Sequence, residues 1–303
     1  MEKIKNAIKR NLKGFILGLV IAGGVGYVIA ETYLDSDEVY YDNTTSGLTS
    51  STVYGATNEL YEEALNIKKM GLNTLYSGKN LGTSYTSAQQ TAISSGTFDG
   101  LGLGDYWVIG GHNWRIWGFD WYMNKGSTKT TAHHVVILPD DNLLDADGST
   151  THYMNDSNTT SGGYAGSKLR STYVSQMETT INSCFGTGHI LSHKELLSTS
   201  VDANGKANNW DWYDSTVEVP SEVMMYGSTI WSNYGGSGYN VGTAYPILPL
   251  ALVKPEFVIN REHYWLRDVV SSSSFAYVSG NGYANSHYAS TSVVGVRPYF
   301  LLS

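Results

Sequence analysis

Apolar residues recur at steps of three and four in one N-terminal segment, namely Val53, Ala56, Leu60, Ala64 and Ile67. This spacing puts them on one face of a helix. Thr52 stands directly before the stripe and is a candidate N-cap. The sequence therefore predicts a short helix within residues 53–70. Because so short a helix is marginal alone, we expect it to pack on its own domain or on copies of itself in a homo-oligomer.

A second helical stripe consists of Leu169, Tyr173, Met177, Ile181 and Cys184. Its spacing again indicates one buried helix face, so Cys184 is expected to be a buried small hydrophobic residue. A further short helix is predicted from Leu191 to Leu197.

Strand-like patterns dominate the rest of the chain. The β-forming runs are 106–109, 114–117 and 134–138. Gly110-Gly111 and Asn204-Gly205 are hairpin turn signals. Residues 217–223 are typical of a strand that enters a turn, and 247–253 form a short apolar segment broken by Pro249. Short strands around one or two helices, without a fixed repeat, predict a compact α+β domain.

The N-terminus has the pattern of an export or membrane segment. Residues 14–30 carry no charge, five basic residues precede them, and acidic residues follow. This asymmetry places the N-terminus in the cytoplasm and the rest of the chain outside. Val28 and Ala30 fit a signal-peptide cleavage site, while the apolar length also suits a permanent anchor; both alternatives stay open. The predicted organisation is 1–30 signal peptide or anchor, 31–99 linker and helical neck, and 100–303 the folded domain.

Charge and cysteine content narrow the function classes. Residues 1–30 carry a net charge of +4 within a chain of net charge −8, so the remainder carries −12. An acidic body argues against nucleic acid as a partner, since phosphate binding needs Lys and Arg. With one cysteine, neither an intrachain disulfide nor a zinc site built from cysteines can form.

Patterns typical of catalysis or metal binding are weak. The chain contains no G-x-S-x-G motif. His133 and His134 lie in a strand-like run, so their side chains should face opposite sides and not share a metal. The acidic cluster Asp140, Asp141, Asn142, Asp145 and Asp147 lacks EF-hand spacing and is expected to form a solvated turn. We expect neither an enzymatic activity nor a cofactor.

The C-terminal forty residues carry the clearest functional pattern. Tyr264-Trp265-Leu266-Arg267 and Gly295-Val296-Arg297-Pro298 enclose a tract, 268–294, of Tyr, Ser, Asn and Gly without an apolar period. Such a composition suits recognition, because Tyr gives contact area and small polar residues give adaptable hydrogen bonds; an ordinary surface loop is the alternative. The predicted ligand-binding residues are Asp268, Ser271, Ser273, Phe275, Tyr277, Asn281, Tyr283, Asn285, His287 and Tyr288. The predicted scaffold residues are Trp265, Arg267, Gly295, Arg297 and Pro298, with both arginines in buried polar contacts.

These flanking motifs resemble a bacterial and phage domain family of unknown function, thought to have the C-type lectin fold in its formylglycine-generating-enzyme-like form. The segments 162–170 and 220–227 are similar to the same family. The resemblance covers roughly residues 100–303 and implies a C-type-lectin-like domain. The enzymatic relatives use a cysteine pair, and the calcium-dependent lectins use E-P-N or Q-P-D with W-N-D. This chain has neither, so neither activity is implied.

The same fold carries the variable regions of proteins diversified by retroelements. Diversification at adenines turns Asn codons into Tyr, Ser, Asp, His and related residues, and the tract 268–294 resembles that set. The resemblance therefore implies an exported adhesin-like or receptor-like variable protein. It would bind an unknown protein or glycan at the outer face of the membrane or after secretion. A phage or prophage receptor-binding protein, an inactive relative of the formylglycine-generating enzymes and a purely structural surface protein are the alternatives.

Overall fold

A computed structural model describes residues 39–42, 44, 46–71, 75–144, 148–232 and 247–303. The chain divides into two compact units, Met1–Met70 and Gly71–Ser303. The predicted signal or anchor segment, 1–30, lies outside the described residues. No helix in the described ranges combines the length and apolar character needed to cross a membrane.

The first unit contains helix α1, Val53–Gly71, as the apolar stripe predicts. The backbone N–H of Gly55 donates to Thr52 Oγ1 at 3.1 Å, so Thr52 does cap the helix. Glu59 on this helix accepts from the backbone N–H of Thr49 at 2.7 Å. In the stripe, Ala56 is buried, whereas Leu60 is 54% exposed.

The second unit mixes helices and strands, which confirms the α+β class in its coarse sense. Its helices are α2 (Ser87–Ser94), α3 (Ser175–Phe185) after the π-helical segment Leu169–Val174, α4 (Glu222–Tyr226), α5 (Pro249–Val253) and the 3₁₀ segment Pro255–Val258. Its strands are β1 (Tyr106–Ile109), β2 (His112–Phe119), β3 (Val135–Pro139), β4 (His193–Val201), β5 (Ala207–Ser215), β6 (Val217–Glu218), β7 (Tyr264–Ser271), β8 (Ser274–Val278), β9 (Ala284–Tyr288) and β10 (Tyr299–Leu302).

The largest sheet among the described residues has the order β1-β2-β3-β10-β6. Its first hairpin turns at Gly110 and Gly111, whose φ angles of 63° and 86° require glycine-like freedom. Strand β10 lies between β3 and β6, so the last strand of the chain occupies an interior position in the sheet. Large side chains fill the core beside it, including Trp107, Trp114, Trp117, Tyr264 and Phe300.

The second unit begins at Gly71, whereas the predicted domain begins at residue 100. Residues 75–99 belong to it because they pair with its strands. Tyr76 bridges Leu103 and Asn80 bridges Tyr106. In α2, a capping box forms at the N-terminus and Ile93 is fully buried. These contacts carry no simple sequence period, so the Gly/Ser/Thr-rich composition concealed them.

The long helical prediction is confirmed over Leu169–Phe185, with a π-helical beginning. Cys184 is half-buried, and burial raises the pKa of its thiol. The predicted helix from Leu191 to Leu197 is wrong, since those residues enter strand β4. Burial alternates along β4, with His193, Glu195 and Leu197 inside, as expected of a strand. Pairing with the long strand β5 decides the conformation.

The C-terminal tract is regular structure and not a loop. Strands β7, β8 and β9 form an antiparallel three-stranded sheet with β8 in the middle. Because β8 pairs on both edges and is buried at Phe275, Ala276, Tyr277 and Val278, the tract contributes to the core. Its lack of an apolar period follows from a strand that is buried on both faces.

Candidate functional site

Four of the five predicted scaffold residues are buried, namely Trp265, Gly295, Arg297 and Pro298, and Arg267 is half-buried. The indole Nε1 of Trp265 donates to the carbonyl of His152 at 2.6 Å. Gly295 leaves no room for a side chain, because a Cβ there would lie 2.0 Å from Asn142 Nδ2.

Arg297 is 1% exposed and makes the buried polar contacts that the sequence predicts. Its Nε donates to the carbonyl of Pro139 at 2.6 Å and its Nη1 to the carbonyl of Phe257 at 2.8 Å. The guanidinium also lies over the rings of Trp117 and Tyr264, at 5.0 and 5.4 Å from their centroids. The planar guanidinium of Arg297 therefore contacts strand β2, the end of strand β3 and the segment 257–264 at the same time.

Arg267 belongs to a buried cluster that the sequence did not reveal. Its Nη1 lies 3.0 Å from Glu195 Oε2 and donates to the Tyr299 hydroxyl at 3.0 Å. The hydroxyls of Tyr122 and Tyr299 also donate to Glu195 Oε1. These contacts lie in the core, where Glu195 is fully buried and Arg267 is half-buried.

Burial raises the pKa of Glu195 to about 7, against the opposing charge of Arg267. The geometry of His193 agrees with a protonated carboxyl. Burial lowers the pKa of His193 to about 3, so the ring is neutral. Its Nδ1 lies 3.3 Å from the Leu191 carbonyl and must be the donor there. Nε2 is then an acceptor, 3.2 Å from Glu195 Oε1, so the bond forms only if Glu195 carries the proton.

Three predicted ligand-binding residues are buried and are not accessible to a ligand at the surface. Phe275 is fully buried, while Tyr277 and Asp268 are each 7% exposed. Phe275 and Tyr277 lie on the central strand β8, and their large side chains fill the core. The carboxylate of Asp268 accepts a hydrogen bond from the backbone N–H of Glu222, the first residue of α4, at 2.7 Å.

Asn285 and His287 lie on the edge strand β9, where their side chains accept hydrogen bonds from backbone N–H groups. Asn285 Oδ1 accepts from the N–H of Ser286 at 2.8 Å, and His287 Nδ1 accepts from the N–H of Tyr288 at 3.1 Å. In an antiparallel pair, successive N–H groups of one strand point alternately toward and away from the partner strand. The N–H of Ser279 donates to the carbonyl of Tyr283, and with this register the N–H groups of Ser286 and Tyr288 point away from β8. Both outward donors are therefore occupied by side chains of the preceding residues.

The remaining predicted ligand residues are accessible but not all together. Ser271 and Ser273 are half-buried in the β7–β8 turn, where the N–H of Ser273 donates to Ser271 Oγ at 3.3 Å. Asn281 is exposed in the β8–β9 turn. Tyr283 is 71% and Tyr288 57% exposed, but they stand at opposite ends of β9, separated by about 17 Å of extended backbone.

Tyr283 instead shares a surface with residues from other segments. Trp231 Nε1 donates to the carbonyl of Ala284 at 2.9 Å. Gly282 packs so closely on Ile259 that a Cβ there would lie 2.5 Å from Ile259 Cγ1. Trp231 is 48% and Ile259 43% exposed. We call Trp231, Ile259, Asn281 and Tyr283 the hairpin-tip surface. Sequence reading missed Trp231 and Ile259, since neither carries a local motif.

A groove adjoins this surface and centres on Arg261. One cleft of about 470 Å³ is lined by Asp140, Glu256, Phe257, Ile259, Asn260, Arg261 and Arg297. A second of about 280 Å³ is lined by Asn142, Thr150, Thr151, Arg261, Glu262, His263 and Val293. Arg261 and the hairpin tip are linked by Gly280, whose N–H donates to His263 Nδ1 at 2.9 Å. We call these two clefts the Arg261 groove.

The residues considered for metal binding are occupied otherwise. Asp120 accepts from the backbone N–H of His134 at 2.9 Å and lies 2.7 Å from His133 Nδ1. Asp140 forms an ion pair with Arg115. In the described ranges, no group of three or more His, Cys, Asp or Glu side chains could hold a metal ion. Asp145 and Asp147 of the acidic cluster lie outside those ranges.

Comparison with family models, with curated proteins and with solved structures finds no match to this chain. The fold and the site together define a mixed α+β domain that presents an aromatic turn beside a polar groove.

Proposed function

We propose that this chain is an exported, surface-displayed ligand-binding protein of the adhesin or receptor type. The observation that carries the proposal is the hairpin-tip surface, where aromatic and aliphatic side chains from three segments are exposed around the turn between strands β8 and β9. Exposed Trp and Tyr side chains on a fixed backbone are the groups that dominate binding interfaces. The ligand is a protein or a glycan on the far side of the membrane.

We further propose that the domain has the C-type-lectin-like fold and that its C-terminal tract is diversified. The framing motifs and the interior position of the last strand support the fold. The burial pattern limits where diversification can act. Phe275 and Tyr277 are core residues, so variation should concentrate at the exposed positions. Among the predicted ligand-binding residues, these are Asn281, Tyr283, Asn285 and Tyr288.

Gene context tests the diversification. An adenine-rich, near-identical template copy beside a reverse transcriptase gene should accompany the gene, and variants should keep aromatic residues at 275 and 277. Variation at 275 and 277 that equals the variation at 281 and 283 would contradict the assignment of the exposed positions.

Substitution at the hairpin tip tests binding. The protein would be screened on an array of defined oligosaccharides and purified cell-surface proteins. We expect Tyr283→Ala to weaken the strongest binding by roughly 1–3 kcal/mol, because the ring supplies exposed contact area and no core packing. Leu252→Ala, which alters a 66% exposed residue on α5, is the control and should bind normally. Unchanged binding together with a lowered melting temperature in Tyr283→Ala would refute the site.

A further inference from the structure

Arg261 has an unusual backbone conformation for a residue with a long side chain. Its φ angle is +66°, in the left-handed region that favours glycine. The residue is exposed, and it lines both clefts of the groove. Within the described part of the chain, the guanidinium has no hydrogen-bond or ion-pair partner. Residues other than glycine with such a backbone conformation cluster at active sites and ligand-binding sites.

The backbone around Arg261 is held by a network of side-chain hydrogen bonds. Asn142 is 3% exposed, and its Nδ2 donates to Glu262 Oε2 at 2.9 Å and to the His263 carbonyl at 3.1 Å. Its Oδ1 accepts from Asn260 Nδ2 at 3.0 Å. A Cβ on Gly280 would lie 2.7 Å from the Arg261 carbonyl oxygen, so the turn packs tightly on the loop. These contacts keep the arginine in position before any ligand arrives.

In the larger cleft, Arg261 is the exposed charged residue that has no partner in the described part of the chain. In the smaller cleft, Glu262 accepts from Asn142 Nδ2 and forms no ion pair with a described residue. Asp140 is bound through two bonds by Arg115, with Nε–Oδ1 at 2.7 Å. Glu256 lies 3.2 Å from Lys254 Nζ. The carboxylates of the larger cleft thus have cations of their own, whereas Arg261 has no partner among the described residues. A free planar guanidinium is suited to bind a carboxylate through two parallel hydrogen bonds.

The rest of the groove favours a saccharide over an extended peptide. Thr150 and Thr151 line the smaller cleft and supply hydroxyl groups, which match the hydroxyl groups of a sugar. An extended peptide would add to an open strand edge. The outward N–H groups of β9 at Ser286 and Tyr288 are already occupied.

We propose that the Arg261 groove binds an acidic saccharide through its carboxylate, with Arg261 as the anchoring residue. This inference rests on the proposed function and names the chemical class of its ligand. The guanidinium would hold the carboxylate between the two clefts, while the threonine hydroxyl groups of the groove contact the neighbouring sugar hydroxyls.

The test uses the full-length protein purified in mild detergent and titrated calorimetrically with tri-galacturonate and with neutral tri-galactose. We expect the acidic trisaccharide to bind, with an affinity that falls as salt rises, and the neutral one to bind weakly. Arg261→Gly should lose roughly tenfold or more of the affinity. It should not lower the melting temperature, because glycine tolerates the positive φ angle. Lys129→Ala, which removes another exposed cation, should bind as the wild type does.

Absent binding of tri-galacturonate, equal binding of the two trisaccharides, or full affinity in Arg261→Gly would each overturn the inference. Binding of a peptide with a free C-terminal carboxylate, in the absence of saccharide binding, would overturn it as well. None of these results touches the proposed function if Tyr283→Ala still loses its array ligand. The proposed function fails if neither variant alters any binding.

Discussion

The carboxyl group of Glu195 lies among polar side chains without access to solvent. Tyr122, Tyr299, His193 and Arg267 all contact it. A buried carboxylate is unfavourable unless its partners offset the loss of hydration. The acceptor nitrogen of His193 favours the protonated form, while Arg267 favours the charged form. Because burial has the larger effect, the pKa is raised to about 7.

This raised pKa makes stability depend on pH. Between about 4.5 and 7 the folded protein binds the Glu195 proton more tightly than the unfolded chain does. The stabilisation is therefore complete below pH 4.5 and is lost as pH rises through 7, by on the order of 3 kcal/mol. Glu195→Gln, which keeps a neutral donor toward His193, should match the wild type near pH 4.5. It should be the more stable of the two at pH 8.

Denaturant unfolding of both proteins at pH 4.5, 6 and 8 measures that difference. Comparison at each pH removes the contributions of other titrating groups. If the Glu195→Gln protein instead becomes less stable than the wild type as pH rises, the ion pair with Arg267 dominates and Glu195 is charged.

Gly295 shows how one small residue supports the groove. A methyl group there would lie 2.0 Å from Asn142 Nδ2, so Gly295→Ala must displace the amide that holds residues 260–263. We expect a loss of about 1–3 kcal/mol in the free energy of unfolding. Saccharide affinity should also fall, as measured by the same titration. Gly111→Ala, where nothing lies within 4 Å of the added Cβ, should lose stability through its positive φ but keep the affinity.

Strand β9 is an edge of its sheet, and exposed edges invite pairing with other chains. The side chains of Asn285 and His287 occupy the outward N–H groups of Ser286 and Tyr288. Burial also lowers the pKa of His287 and so keeps its accepting nitrogen free of a proton. These two residues thus protect the edge, which explains why they stand on an exposed strand without belonging to the hairpin-tip surface.

Removing both side chains should open that edge. The double substitution Asn285→Ala and His287→Ala leaves two backbone donors unpaired and should promote concentration-dependent self-association by strand pairing. Light scattering over a concentration series would detect it. Asn281→Ala, in the adjoining turn, is the control and should stay unassociated. A double variant as monodisperse as this control would rule out the protective role.

In the first unit, helix α1 raises the question of assembly. Leu60 belongs to the predicted apolar stripe and is 54% exposed, as are Tyr54 and Tyr61 to a similar degree on the helix surface. Burial of such side chains is worth roughly 1.5–3 kcal/mol each, which copies of the helix would provide. We therefore expect a chain that begins near residue 34 to sediment as a dimer or trimer.

The control for assembly is Leu60→Lys, which puts a charge into the expected interface. Sedimentation should then shift toward the monomer while the circular dichroism of the second unit stays unchanged. A strict monomer for the unsubstituted chain would refute the oligomeric neck.

Elements whose residues carry a local signal could be predicted without the structure. The apolar stripes predicted helix α1 and the Leu169–Phe185 helix, and the paired glycines predicted the first hairpin. Burial of Trp265 and Arg297 also followed from their motifs. In each case the periodicity or turn chemistry is complete within about fifteen residues, so no distant partner is needed to recognise it.

The remaining features depend on contacts between segments that are distant in the chain. The segment 191–197 became a strand because β5 pairs with it, and Phe275 and Tyr277 became core because β8 has a neighbour on each edge. The hairpin-tip surface and the Arg261 groove depend on residues far apart in the chain, as the bond between Asn142 and Glu262 illustrates. Whether a strand residue is buried depends on the elements that pack against that face of its sheet. A composition rich in Tyr and Ser is compatible both with an exposed surface and with a strand that is buried on both faces.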